Sequence, residues 1–146
     1  MRRNEQGFTL MELLVVIVIV AILAAVAVPL YINYVKDATR TEAKGAIGAV
    51  ITAEQAYYQK GDPETGVHTY TDDTFVPNPA TNSGQILDCD LTETLKNWTV
   101  RVVNADENGF TAIAVGNPNT PAQGLTVNYY FQRTGEPRPG GPWEEQ

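Results

Sequence analysis

The chain has 146 residues, and its 17 acidic residues outnumber its 10 Lys and Arg residues, so the formal net charge is −7. An acidic chain lacks the clustered basic side chains of a phosphate-binding surface, and we expect no specific nucleic-acid partner. The one cysteine, Cys89, excludes an intramolecular disulfide, and the one histidine, His68, leaves metal clusters and catalytic triads unsupported. We therefore expect no enzymatic activity, no cofactor and no metal.

An apolar segment near the start of the chain is long enough to cross a membrane. From Leu13 to Val35 there are 23 residues without a charge, and a bilayer core needs about 20. Arg2 and Arg3 precede this segment and the next basic residue is Lys36, so the positive-inside tendency places the short N-terminus in the cytoplasm. A cleavable secretory signal is the weaker alternative, suggested by the alanines within the segment.

A short motif precedes the apolar segment: Gly7 is followed by Phe8, and Glu12 is the fifth residue after the glycine. Together with the apolar segment, this motif resembles the class III signal of type IV pilins and their relatives. The resemblance covers about the first 60 residues, including Pro29 and the stretch RTEAKGAIGAVITAEQAYY. It implies that residues 1–7 are a cytoplasmic leader, that a prepilin peptidase cleaves between Gly7 and Phe8 and methylates the Phe8 amine, and that residues 8–35 form a transmembrane and assembly helix.

The resemblance also implies a role for Glu12 in assembly. After cleavage, Phe8 carries a positive amine that the Glu12 carboxylate of a neighbouring subunit can face, and such a pair is stronger in an apolar core than in water. The alternative is that Glu12 is only a charge favoured by the dipole at the helix start. Pro29, the third assembly residue, should kink or locally melt the helix, unless it is simply a tolerated membrane proline.

Residues 36–60 are predicted to continue the helix as an amphipathic half that ends at Gly61. Its apolar stripe, at three- and four-residue spacing, consists of Ala43, Ala46, Ile47, Val50, Ala53 and Tyr57. Residues 61–96 are predicted to be a surface loop, because they are rich in Pro, Gly, Asn, Asp and Thr.

Residues 97–132 are predicted to form an antiparallel sheet from the segments 97–104, 109–116 and 125–132, which are rich in β-branched and aromatic residues. In the third segment, Leu125, Val127, Tyr129 and Phe131 form the core face. Residues 133–146, with several prolines and glycines, are predicted to be a tail without regular structure. The predicted fold is α+β: a long N-terminal helix packed on a small antiparallel sheet of three to four strands, as the pilin resemblance implies.

Other candidate sites are weaker. The segment 104–109 resembles half of a calcium loop, but the closing Glu is missing and a hairpin turn explains it better. The acidic residues at positions 72, 73, 88 and 90 are weak ligand candidates, and Asn97-Trp98-Thr99 fits a glycosylation acceptor by chance. The aromatic series of Phe8, Tyr31, Tyr34, Tyr57 and Tyr58 is better explained by anchoring and packing than by electron conduction.

The predicted function is that of a structural subunit of a type IV pilus, which polymerises through its N-terminal helix into a surface filament for adhesion, motility or DNA uptake. The expected partners are copies of the chain, the prepilin peptidase and the pilus or secretion assembly machinery. The precursor would sit in the inner membrane before it joins an extracellular filament. The alternative is a pseudopilin of a type II secretion system, although Gly141-Pro142-Trp143-Glu144 matches the motif of major pseudopilins only faintly. A membrane-tethered enzyme domain lacks a site.

Overall fold

The computed structural model describes residues 8–75, 86, 87, 89–133 and 141–146. The predicted leader with Gly7, the candidate ligand Asp88 and most of the predicted tail therefore lie outside the described residues. The chain divides into two compact units, one up to Val35 and one from Lys36 onward. We call the second unit the head.

Helix α1 spans Leu10–Lys60, which is 51 residues. It begins after Thr9 and ends before Gly61, which has a φ of 75° and so stops the helix in the left-handed conformation that glycine adopts without strain. Pro29 lies inside α1 and the helix continues through it, so the helix is not melted at Pro29. This agrees with the alternative of a tolerated proline, and a kink at Pro29 stays a prediction. The loss of one amide donor at Pro29 does not interrupt the helix.

The second half of α1 packs on the sheet of the head. The predicted apolar stripe is confirmed: Ala43, Ala46, Ile47 and Val50 are buried, and Ala53 and Tyr57 are half-buried against the same core. Two polar residues, Thr39 and Glu54, are buried on this face as well. The stripe thus covers one side of the head core, as its helical spacing requires.

Among the described residues, the sheet has five antiparallel strands in the order β1-β2-β3-β4-β5. Their bounds are β1 Asp73–Phe75, β2 Trp98–Val103, β3 Gly109–Gly116, β4 Thr126–Gln132 and β5 Trp143–Glu145. The three long strands agree with the sequence prediction, but the predicted number of three to four strands is too low. Strand β1 lies in the segment predicted to be a loop, so that prediction is wrong for Asp73–Phe75.

Strand β5 lies in the segment predicted to lack regular structure, and that prediction is wrong for Trp143–Glu145. Trp143 pairs with Tyr129 and Glu145 pairs with Val127. The prolines and glycines that argued against a strand precede these residues in the sequence and do not interrupt the pairing. A strand of three residues at the edge of a sheet needs only a few main-chain hydrogen bonds, and pairing with β4 provides them.

The core lies between the second half of α1 and one face of the sheet. Trp98, Val100 and Val102 of β2 alternate with residues that face away, as do Ala112 and Ala114 of β3. The predicted core face of the third segment is confirmed. Leu125 and Val127 are buried, and Tyr129 and Phe131 are half-buried against the core.

Candidate processing and assembly site

The first turn of α1 is closed by reciprocal hydrogen bonds between Thr9 and Glu12. The Thr9 main-chain N–H and hydroxyl each donate to Glu12 Oε2 at 2.9 Å, and the Glu12 main-chain N–H donates to Thr9 Oγ1 at 3.2 Å. This arrangement is a capping box, which satisfies donors that the first turn of a helix otherwise leaves free. The sequence prediction missed it, although Thr9-x-x-Glu12 is the pattern that identifies such a box.

The capping box holds the Glu12 carboxylate at the start of the helix and engages only one of its two oxygens in hydrogen bonds. All of its hydrogen bonds go to Oε2, and no described residue donates to Oε1. Phe8 precedes the box and is 84% exposed. The structure therefore places two of the predicted assembly residues, Phe8 and Glu12, at one end of α1. Pro29 is 17 residues further along the helix than Glu12, or roughly 26 Å at 1.5 Å per residue.

Residues 10–35 of α1, which we call the apolar half-helix, expose their side chains on every side. The large apolar residues exposed here include Leu10, Met11, Leu13, Leu14, Val15, Val16, Ile17, Val18, Ile19, Val20, Ile22, Leu23, Val26, Val28, Leu30, Ile32 and Val35. Within the part of the chain that the structure describes, α1 is the one helix long and apolar enough to cross a membrane. An all-round apolar surface of this kind requires lipid or a bundle of helices.

The segment 104–109 is a turn between β2 and β3. Asp106 Oδ1 accepts the main-chain N–H groups of Asn108 at 2.7 Å and of Gly109 at 2.9 Å. The Asp106 main-chain N–H donates to the Gly109 carbonyl oxygen at 2.9 Å, and Asn104 adopts a φ of 56°. These are the contacts of a hairpin turn, so the prediction of a turn here is confirmed.

The other acidic candidates also bind main-chain groups of the head. Asp72 accepts the N–H of Ala105, and Asp73 accepts the N–H groups of Ile86 and Leu87. The side-chain and main-chain hydrogen bonds from Thr92 lower the pKa of Asp90. Among the described residues, no group of three or more His, Cys, Asp or Glu side chains could hold a metal ion.

The remaining candidates have packing roles. The side-chain amide of Asn97, the residue directly before β2, donates to Glu42 of α1 at 3.3 Å, and the neighbouring Trp98 is fully buried. Cys89 is half-buried against the core. The predicted aromatic series is not one group. Tyr58 stacks on Tyr70 within the head, whereas Tyr31 belongs to the other unit.

Comparison with known proteins supports the interpretation of the N-terminus. Residues 2–28 match the family model of the prokaryotic N-terminal methylation motif. The type IV wide pilus major component PilA4 of Thermus thermophilus is 31% identical over 112 residues, which cover 77% of this chain and 74% of that protein. No solved structure matches the chain.

Two further relatives share only the N-terminal region. The type IV major pilin protein PilA of Myxococcus xanthus is 39% identical over 59 residues, 40% of this chain and 27% of that protein. The type II secretion system core protein G of Pseudomonas aeruginosa is 46% identical over 56 residues, 38% of this chain and 39% of that protein. The matched region thus spans about a quarter to two fifths of these two relatives' lengths.

The motif at the N-terminus, the single long helix packed on an antiparallel sheet and the extended match to a pilus component agree. The chain belongs to the type IV pilin and pseudopilin family. Members of this family are structural proteins rather than enzymes, which is the class that the composition and motifs predicted.

Proposed function

We propose that the chain is a structural subunit of a type IV pilus, and that it polymerises through α1 into a surface filament. The observation that carries this proposal is the apolar half-helix, whose side chains are exposed on every side. Such a surface suits lipid while the precursor waits in the inner membrane, and it suits a bundle of identical helices after assembly. The match to a pilus component over 74% of that protein's length supports a pilus rather than another assembly.

Processing would prepare this helix for assembly. A prepilin peptidase cuts between Gly7 and Phe8, methylates the new amine and leaves Phe8 directly before the capping box. The domain organisation that we propose is a removed leader (1–7), an anchor helix (8–35) and a head that begins at residue 36. The pilus assembly machinery then moves the subunit from the membrane into the filament.

The capping box suggests how Glu12 serves two purposes at once. Its Oε2 atom caps its own helix, while Oε1 has no donor among the described residues and can accept the Phe8 amine of a neighbouring subunit. A carboxylate within an apolar bundle is retained only where it finds such a partner. The pair therefore sets the register of adjacent helices. Pro29, the third proposed assembly residue, removes one amide donor within α1 and can kink the helix without interrupting it.

The alternative function is that of a pseudopilin in a type II secretion system. The relative from such a system is 46% identical, but only over 56 residues, and this region holds the signal and anchor that both kinds of subunit share. The match to the pilus component extends over 112 residues and so includes part of the head. Long surface filaments built mainly of this chain would separate the two functions, because a secretion pseudopilin would give none.

The role of Glu12 can be tested with three variants that separate charge from helix capping. Glu12→Gln keeps a capping-box residue, because Gln also serves in such boxes, but it removes the charge. Thr9→Val keeps the charge and removes the cap. Glu12→Ala removes both. We expect membrane insertion and cleavage to persist in all three, since the apolar segment and the Gly7-Phe8 bond are unchanged.

The measurement is the yield of sheared filaments at equal membrane levels of processed subunit. If the charge of Glu12 sets the register of adjacent helices, filament yields fall sharply in Glu12→Gln and Glu12→Ala, while Thr9→Val still assembles. Normal yields from both Glu12 variants would contradict the proposed pairing. Failure of Thr9→Val and Glu12→Ala together, with a normal yield from Glu12→Gln, would show that Glu12 acts only as a cap.

A further inference from the structure

Glu54 is a carboxylic acid buried in the core of the head. It lies on the face of α1 that packs against the sheet, one helical turn after Val50, and it is 0% exposed. Oε2 accepts the main-chain N–H of Thr71 at 3.1 Å. Oε1 is buried and has no hydrogen-bond partner among the described residues. A charged carboxylate with one donor in such a position is poorly compensated for its lost hydration.

The charged neighbours of Glu54 are also acidic. Asp72 and Asp73, on the segment that follows Thr71, both act to raise the pKa of Glu54. The other titratable neighbours are Tyr57 on α1 and Tyr70 on the facing segment. No Lys, Arg or His within the described residues forms an ion pair with Glu54. Ionisation of Glu54 would therefore add a negative charge beside two others without a cation to offset it.

We propose that Glu54 is a pH-sensitive contact between α1 and residues 70–73, which holds the head together when the carboxyl is neutral and loosens it when the carboxyl ionises. The segment 70–73 leads directly into β1, and Asp73 in turn holds the main chain at Ile86 and Leu87. Loosening this contact would thus affect the β1 edge of the sheet. The head would be most stable to unfolding in mildly acidic solution.

The direction of the pH dependence follows from the pKa of Glu54. Burial raises it from 4.5 to about 7, against the opposing effect of the Thr71 hydrogen bond. The folded head therefore binds this proton more tightly than the unfolded chain does. The contribution of protonated Glu54 to the stability of the folded head is complete below about pH 4.5 and is lost as the pH rises through about 7.

The test measures urea unfolding of the full chain in detergent micelles between about pH 5 and pH 8.5, a range that spans the titration of Glu54. Both tryptophans, Trp98 and Trp143, lie in the head, so their fluorescence reports its unfolding. Hydrogen bonds from Thr65 and Tyr57 lower the pKa of Asp62 to about 2, so Asp62 changes stability only in more acidic solution.

We expect the urea midpoint of the wild-type chain to fall as the pH rises, and the midpoint of Glu54→Gln to stay nearly constant and to exceed that of the wild type at the alkaline end. Glu64→Gln is the matched control, because Glu64 is exposed on the turn after α1 and its replacement should leave the wild-type slope. A wild-type midpoint independent of pH, or an unchanged slope in Glu54→Gln, would overturn the proposal.

If Glu54→Gln does not fold, infrared spectroscopy of the wild-type chain shows instead whether Glu54 is protonated in the folded head. A protonated-carboxyl band near pH 6 that shifts on ¹³C labelling of glutamate, and that disappears by about pH 8.5, supports the proposal. The absence of this band near pH 6 overturns it, because the folded head would then hold Glu54 ionised.

Discussion

Replacing Trp143 with Ala should destabilise the head, because this side chain fastens the short strand β5 to both the sheet and the helix. The Trp143 ring makes an edge contact with Tyr129 at a centroid distance of 4.7 Å, and the Lys44 ammonium lies 5.8 Å from the Trp143 ring centroid. An aromatic pair contributes about 0.5–1.5 kcal/mol beyond its buried area, and an exposed cation–π contact about 0.5–1 kcal/mol. With some lost burial of the half-buried indole, Trp143→Ala should cost about 2 kcal/mol.

The assay for Trp143→Ala is thermal or urea unfolding of the full chain in detergent, followed by fluorescence. The variant keeps a single tryptophan, Trp98, which is fully buried and reports directly on the core. For a unit of this size, a loss of about 2 kcal/mol lowers Tm by roughly 8 °C.

Tyr130→Phe is the matched control. It removes one hydrogen bond between Tyr130 of β4 and Glu144 of β5 and should cost about 1 kcal/mol or less. An effect of Trp143→Ala no larger than that of the control would refute the idea that Trp143 fastens β5 to the sheet and to α1.

Three further predictions concern the head. Removing residues 1–35 should give a soluble, folded monomer, since the head has its own core; aggregation in size-exclusion chromatography or loss of the circular dichroism signal would contradict this. Calcium should not change Tm, because Asp106 in the segment 104–109 binds main-chain groups; a large chelator-sensitive rise would make these residues ligands. Gly116→Ala should cost about 2 kcal/mol or more, because its Cβ would meet the Ala122 carbonyl oxygen, whereas Gly48→Ala has open space and should be neutral or slightly stabilising in the same unfolding assay.

The long elements could be predicted from the sequence because their patterns repeat. The helix has more than twenty consecutive uncharged residues followed by a regular stripe. In β4, Val127, Tyr129 and Phe131 recur at every second position and pack against the core. The strands β1 and β5 are three residues each, too short for alternation to identify. β5 depends on contacts distant in sequence, including the ion pair between Lys44 and Glu145.

The candidate site was only partly predictable for a similar reason. The motif of Gly7, Phe8 and Glu12 is local, and the capping box could have been found from Thr9 and Glu12 alone. The contact of Glu54 was not predicted, because its partner Thr71 lies on a segment that returns to α1 after the helix has ended. No local pattern predicts that contact, which joins residues 17 positions apart.

The central claim, that this chain is processed between Gly7 and Phe8 and then forms a filament, is tested most directly by intact-mass analysis of surface filaments sheared from the cells that make it. We predict that the main protein in those filaments is this chain, beginning at an N-methylated Phe8. A subunit that still carries Met1, a cut after one of the alanines between positions 21 and 27, or the absence of the chain from surface filaments would contradict the account.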